Sequence, residues 1–115
     1  MIRGSEWVVD AAGCESAALA STANVNSLLD DIVHSLDLHP VVPAVVHQFP
    51  GPGGVTGMVL LAESHLTVHT FPEYGTLCLN LFCCSPRPEW DFTLQLKHRF
   101  GASDVEIRVF ERSTS

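Results

Sequence analysis

The run Glu63-Ser64-His65-Leu66-Thr67-Val68-His69 carries residue types that can break the chain's own backbone. A serine hydroxyl set against the carbonyl of the residue before it, here Glu63, exchanges the amide for an ester, and β-elimination then splits that ester. What remains at position 64 is a dehydroalanine that hydrolyses to a pyruvoyl group, so the new chain begins with a ketone instead of an amine. Such a ketone takes a substrate amine into a Schiff base and draws off the electrons released by decarboxylation, the role pyridoxal phosphate fills elsewhere. An isolated Glu-Ser-His is most often an ordinary polar step on a strand, and three letters alone carry little weight.

The elements that would position this serine are legible from periodicity. Residues 6–11 read as a first strand with Trp7, Val8 and Val9 as its apolar bulk, closed by Gly13. Val25, Leu28, Leu29, Ile32, Val33 and Leu36 recur at spacings of three and four, which predicts a helix with Asn24 as N-cap and Pro40 as its limit. Residues 41–49 follow as a strand edged at Pro43, and the Pro-Gly turn 50–54 delivers the chain into a strand over 55–63. The unbroken apolar run Met58-Val59-Leu60-Leu61 predicts a strand covered on both faces. Residues 65–71 and 76–83 make two further strands around the turn Pro72-Glu73-Tyr74-Gly75. Pro86 and Pro88 open a second helix that carries Trp90, Phe92, Leu94, Leu96 and Phe100 and stops at Gly101, and 105–110 is a last strand. This order predicts an α+β fold, a two-layer sandwich of a mostly antiparallel β-sheet with two helices on one face.

The match around Ser64 is long. Ala62 to Gly75, then Leu81-Phe82-Cys83-Cys84, closely resembles the core of the prokaryotic S-adenosylmethionine decarboxylase family, and His47-Gln48-Phe49 and Gly54-Val55-Thr56-Gly57 resemble two of its upstream segments. Further back, Gly4 through Asp10 to Gly13-Cys14 follows the family's opening strand. The resemblance implies one domain over 1–115, cut between Glu63 and Ser64 into a β chain (1–63) and an α chain (64–115), with the pyruvoyl cofactor made from Ser64. It implies that His69 assists processing, that Thr56 supplies the hydroxyl for which the family uses Ser, and that Cys84 protonates the substrate carbon after carbon dioxide leaves. Cys83, one position earlier, is the alternative proton donor. Strict alternation puts Ser64 and His69 on opposite faces of one strand, so their cooperation predicts a bulge or bend between them. The resemblance also implies a homodimer of processed protomers with sites near the subunit interface.

The departures fall on substrate recognition. Ala11-Ala12 stand where the family commonly has an aromatic for adenine, Asn80 replaces an Asp, Thr76 replaces a Tyr, and the family's Arg-Gly segment is not matched before Ser115. The first expectation is decarboxylation of S-adenosylmethionine to the aminopropyl donor of spermidine biosynthesis, with Phe49 against adenine, Glu73 on the ribose hydroxyls and His65 beside the substrate. The alternative is a pyruvoyl enzyme for a smaller basic amino acid, ornithine or arginine, with Asp10 or Glu73 receiving the distal cation. A third is an uncleaved, non-catalytic regulatory homologue.

Composition sets outer bounds. At 115 residues there is room for one modest core, and 46% hydrophobic with 17% charged residues lies in the globular range. A formal charge of −7 with six scattered Lys and Arg argues against nucleic acid and anionic membrane, and suits a small cationic substrate. No apolar stretch reaches membrane-spanning length, and Met1-Ile2-Arg3-Gly4 lacks a signal peptide's apolar core, so a cytoplasmic protein with reduced Cys14, Cys78, Cys83 and Cys84 is expected. His65 and His69 are spaced roughly 13 Å apart on a strand, too far to share an ion, and no metal is expected.

Overall fold

A computed structural model describes residues 2–114, in the order β1 (Ile2–Ala12), α1 (Ser16–Leu19), α2 (Thr22–Ser35), β2 (Val45–Gln48), β3 (Val55–Leu61), β4 (Ser64–Phe71), β5 (Thr76–Cys83), α3 (Phe92–Phe100) and β6 (Asp104–Thr114). The strands make one six-stranded sheet in the order β2-β3-β4-β5-β1-β6, with every neighbouring pair antiparallel. Residues of period two bury one sheet face: Val9 on β1, Val59 on β3, Leu66 and Val68 on β4, and Leu79 and Leu81 on β5. Val25, Leu28 and Ile32 of α2 and Phe92, Leu96 and Phe100 of α3 close over that face, each such side chain contributing roughly 1.5–3 kcal/mol by leaving water. The α+β two-layer sandwich with helices on one face is therefore the observed fold. The single-turn α1 is an addition to it.

Several local expectations need correction. Asn24 does not cap α2; Ser21 does, its side chain accepting from the Asn24 backbone N–H at 3.1 Å, while the Asn24 amide donates to the Arg99 carbonyl and ties α2 to α3. α2 ends at Ser35, before Pro40 can act, because Asp37 turns the chain in the left-handed region. The strand expected over 41–49 shrinks to Val45–Gln48, with Pro40 reaching Leu61 only through an isolated bridge. α3 starts at Phe92, where Asp91 accepts from the Leu94 N–H, so Trp90 lies outside it; Gly101 ends it at φ 68. The run 58–61 is not covered on both faces. Met58 and Leu60 are 52% and 56% exposed, because the helices cover only one side of the sheet.

One buried hydroxyl locks the corner that carries the Pro-Gly turn. Thr70 donates to the Leu19 carbonyl at 2.8 Å and accepts from the Val55 N–H at 2.9 Å, so α1, β3 and β4 meet on a fully used side chain.

Candidate active site

Two clusters of the residues singled out above lie at opposite ends of the β3–β4 hairpin. The first is at the turn. Leu61 pairs with Ser64, leaving Ala62 and Glu63 as a two-residue connection, and Glu63 has φ 55. Ser64 Oγ accepts from the Cys84 N–H at 3.0 Å, and Cys84 Sγ lies 3.9 Å from the Ala62 carbonyl oxygen. Gly4 lets β1 pass this close to the end of β5, since a Cβ there would sit 2.0 Å from the Cys83 carbonyl oxygen. The two neighbouring thiols part company: Cys83 is buried on the helix side, where burial pushes its thiol up, and Cys84 is half-exposed beside Ser64.

The second cluster lies toward the Pro-Gly turn. Thr56 and His69 are cross-strand partners, and Thr56 Oγ1 lies 2.9 Å from His69 Nδ1. When Nδ1 carries the proton, Thr56 accepts it and Nε2 is left with a lone pair. A cleft of about 220 Å³ opens beside them, lined by Phe49, Pro52, Thr56, His69 and Glu73 among others. His47 meets Phe49 edge to face at 4.6 Å between ring centres, which holds the exposed Phe49 ring at the mouth.

The expected bulge between Ser64 and His69 is absent. Pairing runs unbroken from Leu61↔Ser64 to Thr56↔His69, so the five steps of β4 span roughly 16 Å and end on the opposite face. Within one chain the two clusters do not meet.

Between them, on the open face, runs a hydrogen-bonded chain that sequence reasoning missed. His65 Nε2 is 2.8 Å from Asn80 Oδ1, the Asn80 amide donates to Glu6 Oε2 at 2.9 Å, and Arg112 donates to Glu6 Oε1 at 2.6 Å. The Asn80 hydrogen bond first, then the Arg112 guanidinium, holds the Glu6 carboxyl below its usual range. The signal lay in register, since Glu6↔Phe82 and Gly4↔Arg112 put β1 beside strands far along the sequence while His65↔Phe82 sets β4 on the other side of β5, and no local pattern encodes that. Asp10 is likewise engaged, accepting from Arg108 at 3.1 Å. Among the described residues no three His, Cys, Asp or Glu side chains are gathered as metal ligands would be.

The family model described as S-adenosylmethionine decarboxylase matches residues 5–113. The chain belongs to the S-adenosylmethionine decarboxylase family. It is 39% identical over 84 residues to an S-adenosylmethionine decarboxylase proenzyme of Archaeoglobus fulgidus, covering 73% of each chain. With the proenzyme of Acidithiobacillus ferrooxidans it shares 33% over 111 residues, 95% of this chain and 81% of that one. With that of Prochlorococcus marinus it shares 31% over 113 residues, 96% and 88% of the two. The crystal structure of the adenosylmethionine decarboxylase from Aquifex aeolicus shares its fold, with a TM-score of 0.82 at 24% identity over 99% of this chain and 93% of that one. Family membership thus spans both clusters, from Phe49 through Cys84.

Proposed function

We propose that the chain is a proenzyme that cuts itself between Glu63 and Ser64 and then decarboxylates S-adenosylmethionine. The observation that carries this is the turn cluster: a serine hydroxyl directly after the bond to be cut, with the half-exposed Cys84 as its neighbour. The site suits the group it must make, because the Cys84 N–H binds the Ser64 hydroxyl and the Cys84 Sγ lies against the Ala62 carbonyl, one residue before the bond to be cut. Once formed, the pyruvoyl group supplies the electron sink for decarboxylation. Cys84 would deliver a proton to the substrate carbon; its half-exposed position beside Ser64 supports this, and burial on the helix side disfavours Cys83.

The separation of the clusters is the argument for a dimer. A second copy packed open face to open face, about a twofold axis across the strands, brings the β3–β4 turn of one chain over the His69 end of the other; Ser64, in phase with Leu66 and Val68 on the helix side, is then reached around the end of its hairpin. Val45, Met58, Leu60 and Phe110 give that face its exposed apolar surface. His69, with Thr56 behind it, then serves as the base for the Ser64 of its partner, and Phe49 and Glu73 contribute the adenine and ribose contacts. The reading for ornithine or arginine is weakened at Asp10, whose carboxylate already holds Arg108. The test is intact mass of the purified protein under denaturing conditions, followed by carbon dioxide release with S-adenosylmethionine, ornithine and arginine. Two fragments meeting at 63/64, a pyruvoyl mass on the second and release from S-adenosylmethionine alone are expected. A persistently uncut chain would instead make this a non-catalytic homologue. No helix among the described residues is long and apolar enough to cross a membrane.

A further inference from the structure

We infer that the Glu63–Ser64 bond is held under backbone strain by a clamp on both its flanks, and that this strain, not the Glu63 carboxylate, speeds the self-cleavage on which the preceding reading rests. Two-residue hairpins are favoured when the first or both central residues have positive φ, because that twist matches the strands. Here positive φ falls on the second residue, Glu63, and Ala62 has none. A turn of that sense asks for glycine or asparagine at the second place, and a Cβ there collides with the following carbonyl.

Strain of this kind persists only where the surroundings over-determine it. On one flank the Ala62 N–H donates to the His39 carbonyl at 3.0 Å, Pro40 bridges Leu61, and Cys84 Sγ reaches the Ala62 carbonyl. On the other, Ser64 is paired to Leu61 and its Oγ is bound by the Cys84 N–H. Glu63 itself is exposed, so its conformation is imposed by its neighbours. His39, which sequence reasoning passed over, acts here through its backbone.

The chemistry uses the strain in one step. Ser64 Oγ bonds to the Glu63 carbonyl carbon, the bond from that carbon to the Ser64 nitrogen breaks, and the hydroxyl proton ends on the freed nitrogen. No oxidant or reductant is needed. The ester replaces the single rotatable N–Cα bond between the Glu63 carbonyl and the Ser64 Cα by two, Oγ–Cβ and Cβ–Cα, so the link is one atom longer and Glu63 can leave the left-handed region. The amide is strained and its product is not. Glu63 is thus a positioning residue acting through its main chain.

The experiment compares Glu63→Ala, Glu63→Gln, Glu63→Asn and Glu63→Gly, following cleavage by intact mass after refolding the precursor from denaturant. Ala and Gln keep the Cβ and lose the charge, and are expected within about threefold of the parent rate, while Gly should be roughly tenfold slower. Asn keeps a Cβ but tolerates the left-handed region, and falls between, which separates strain from loop flexibility. Gly equal to Ala would overturn the proposal while leaving self-cleavage intact. A second readout needs no cleavage: in a Ser64→Ala background, Glu63→Gly should melt roughly 4 °C above Glu63→Ala, and equal melting overturns the strain. A parent chain that never cuts would sink the cleavage reading itself, together with the claim that strain speeds it.

Discussion

The two ends of the β3–β4 hairpin are built to opposite specifications. At the turn end, every neighbour of Glu63 is tied down, by the His39 carbonyl, the Pro40 bridge and the Cys84 amide and thiol. At the other end Thr56 and His69 face an open cleft beside an exposed Phe49 and a Pro-Gly turn. The bond proposed to break is held by backbone geometry, whereas the groups proposed to exchange protons and admit a ligand stand in accessible space. One chain thus holds the bond proposed to react and the groups proposed to act on it at separate ends of a hairpin, and the proposed dimer is the arrangement that would bring them together.

The largest effect should come from the turn end. Ser64→Ala removes the hydroxyl that attacks, so intact mass should show one uncut chain and carbon dioxide release should vanish. His69→Ala at the other end should slow cleavage by about 100-fold or more, since it removes the base but leaves the nucleophile. The sharper form of that test mixes the two variants after unfolding and refolding together. If the ends meet across two copies, the His69→Ala chains should be cut in mixed dimers far faster than His69→Ala alone, although Ser64→Ala itself is never cut. No complementation would place both groups on one chain and break the comparison.

A smaller effect separates processing from turnover within the turn cluster. Cys84→Ser keeps the backbone N–H that binds Ser64, so cleavage should persist, while decarboxylation falls by about 100-fold because a hydroxyl is a poorer proton donor than a thiol. Loss of cleavage together with turnover would assign Cys84 to the clamp alone.

How much of this was readable in the sequence divides along physical lines. Strand and helix content followed from periodicity, and Glu63 and Ser64 stood out because their chemistry is written in adjacent letters, whereas Cys84 took its role only from the family resemblance. The cap of α2 was misplaced by three residues because Ser21 and Asn24 are both good capping types, and only the tertiary bond from Asn24 to Arg99 decides between them. The run 58–61 read as doubly buried because apolar residues on an exposed sheet face look the same as core residues in one dimension. His39 and the chain from His65 to Arg112 were invisible for another reason: they depend on which strands lie side by side, and β1 enters the sheet between the two ends of the later sequence.

The smallest predicted effect lies in that chain, away from both ends. The folded state depresses the Glu6 carboxyl, so its contribution to stability is complete above the ordinary carboxylate range and is lost as pH falls through the lowered value. Glu6→Gln should therefore lower stability by about 1 kcal/mol at neutral pH. The gap to the parent should close in strong acid, as read by thermal melting across pH. Cleavage should be unaffected, which keeps this variant as a control for the other three.

The strand order has a final consequence for the two pieces a cut would leave. Residues 1–63 supply β1, β2 and β3, residues 64–115 supply β4, β5 and β6, and β1 is threaded between β5 and β6. The fragments share three lines of backbone pairing and cannot slide apart without dismantling the sheet. Severing the hairpin removes its connectivity but no layer of the core. Folding before the cut is a one-body event at any dilution. After it, recovery from full denaturation becomes a two-body encounter that slows with dilution and leaves strand edges exposed while the pieces search for each other. Maturation is in this sense a ratchet: the chain can assemble itself unaided once, and afterwards only in company.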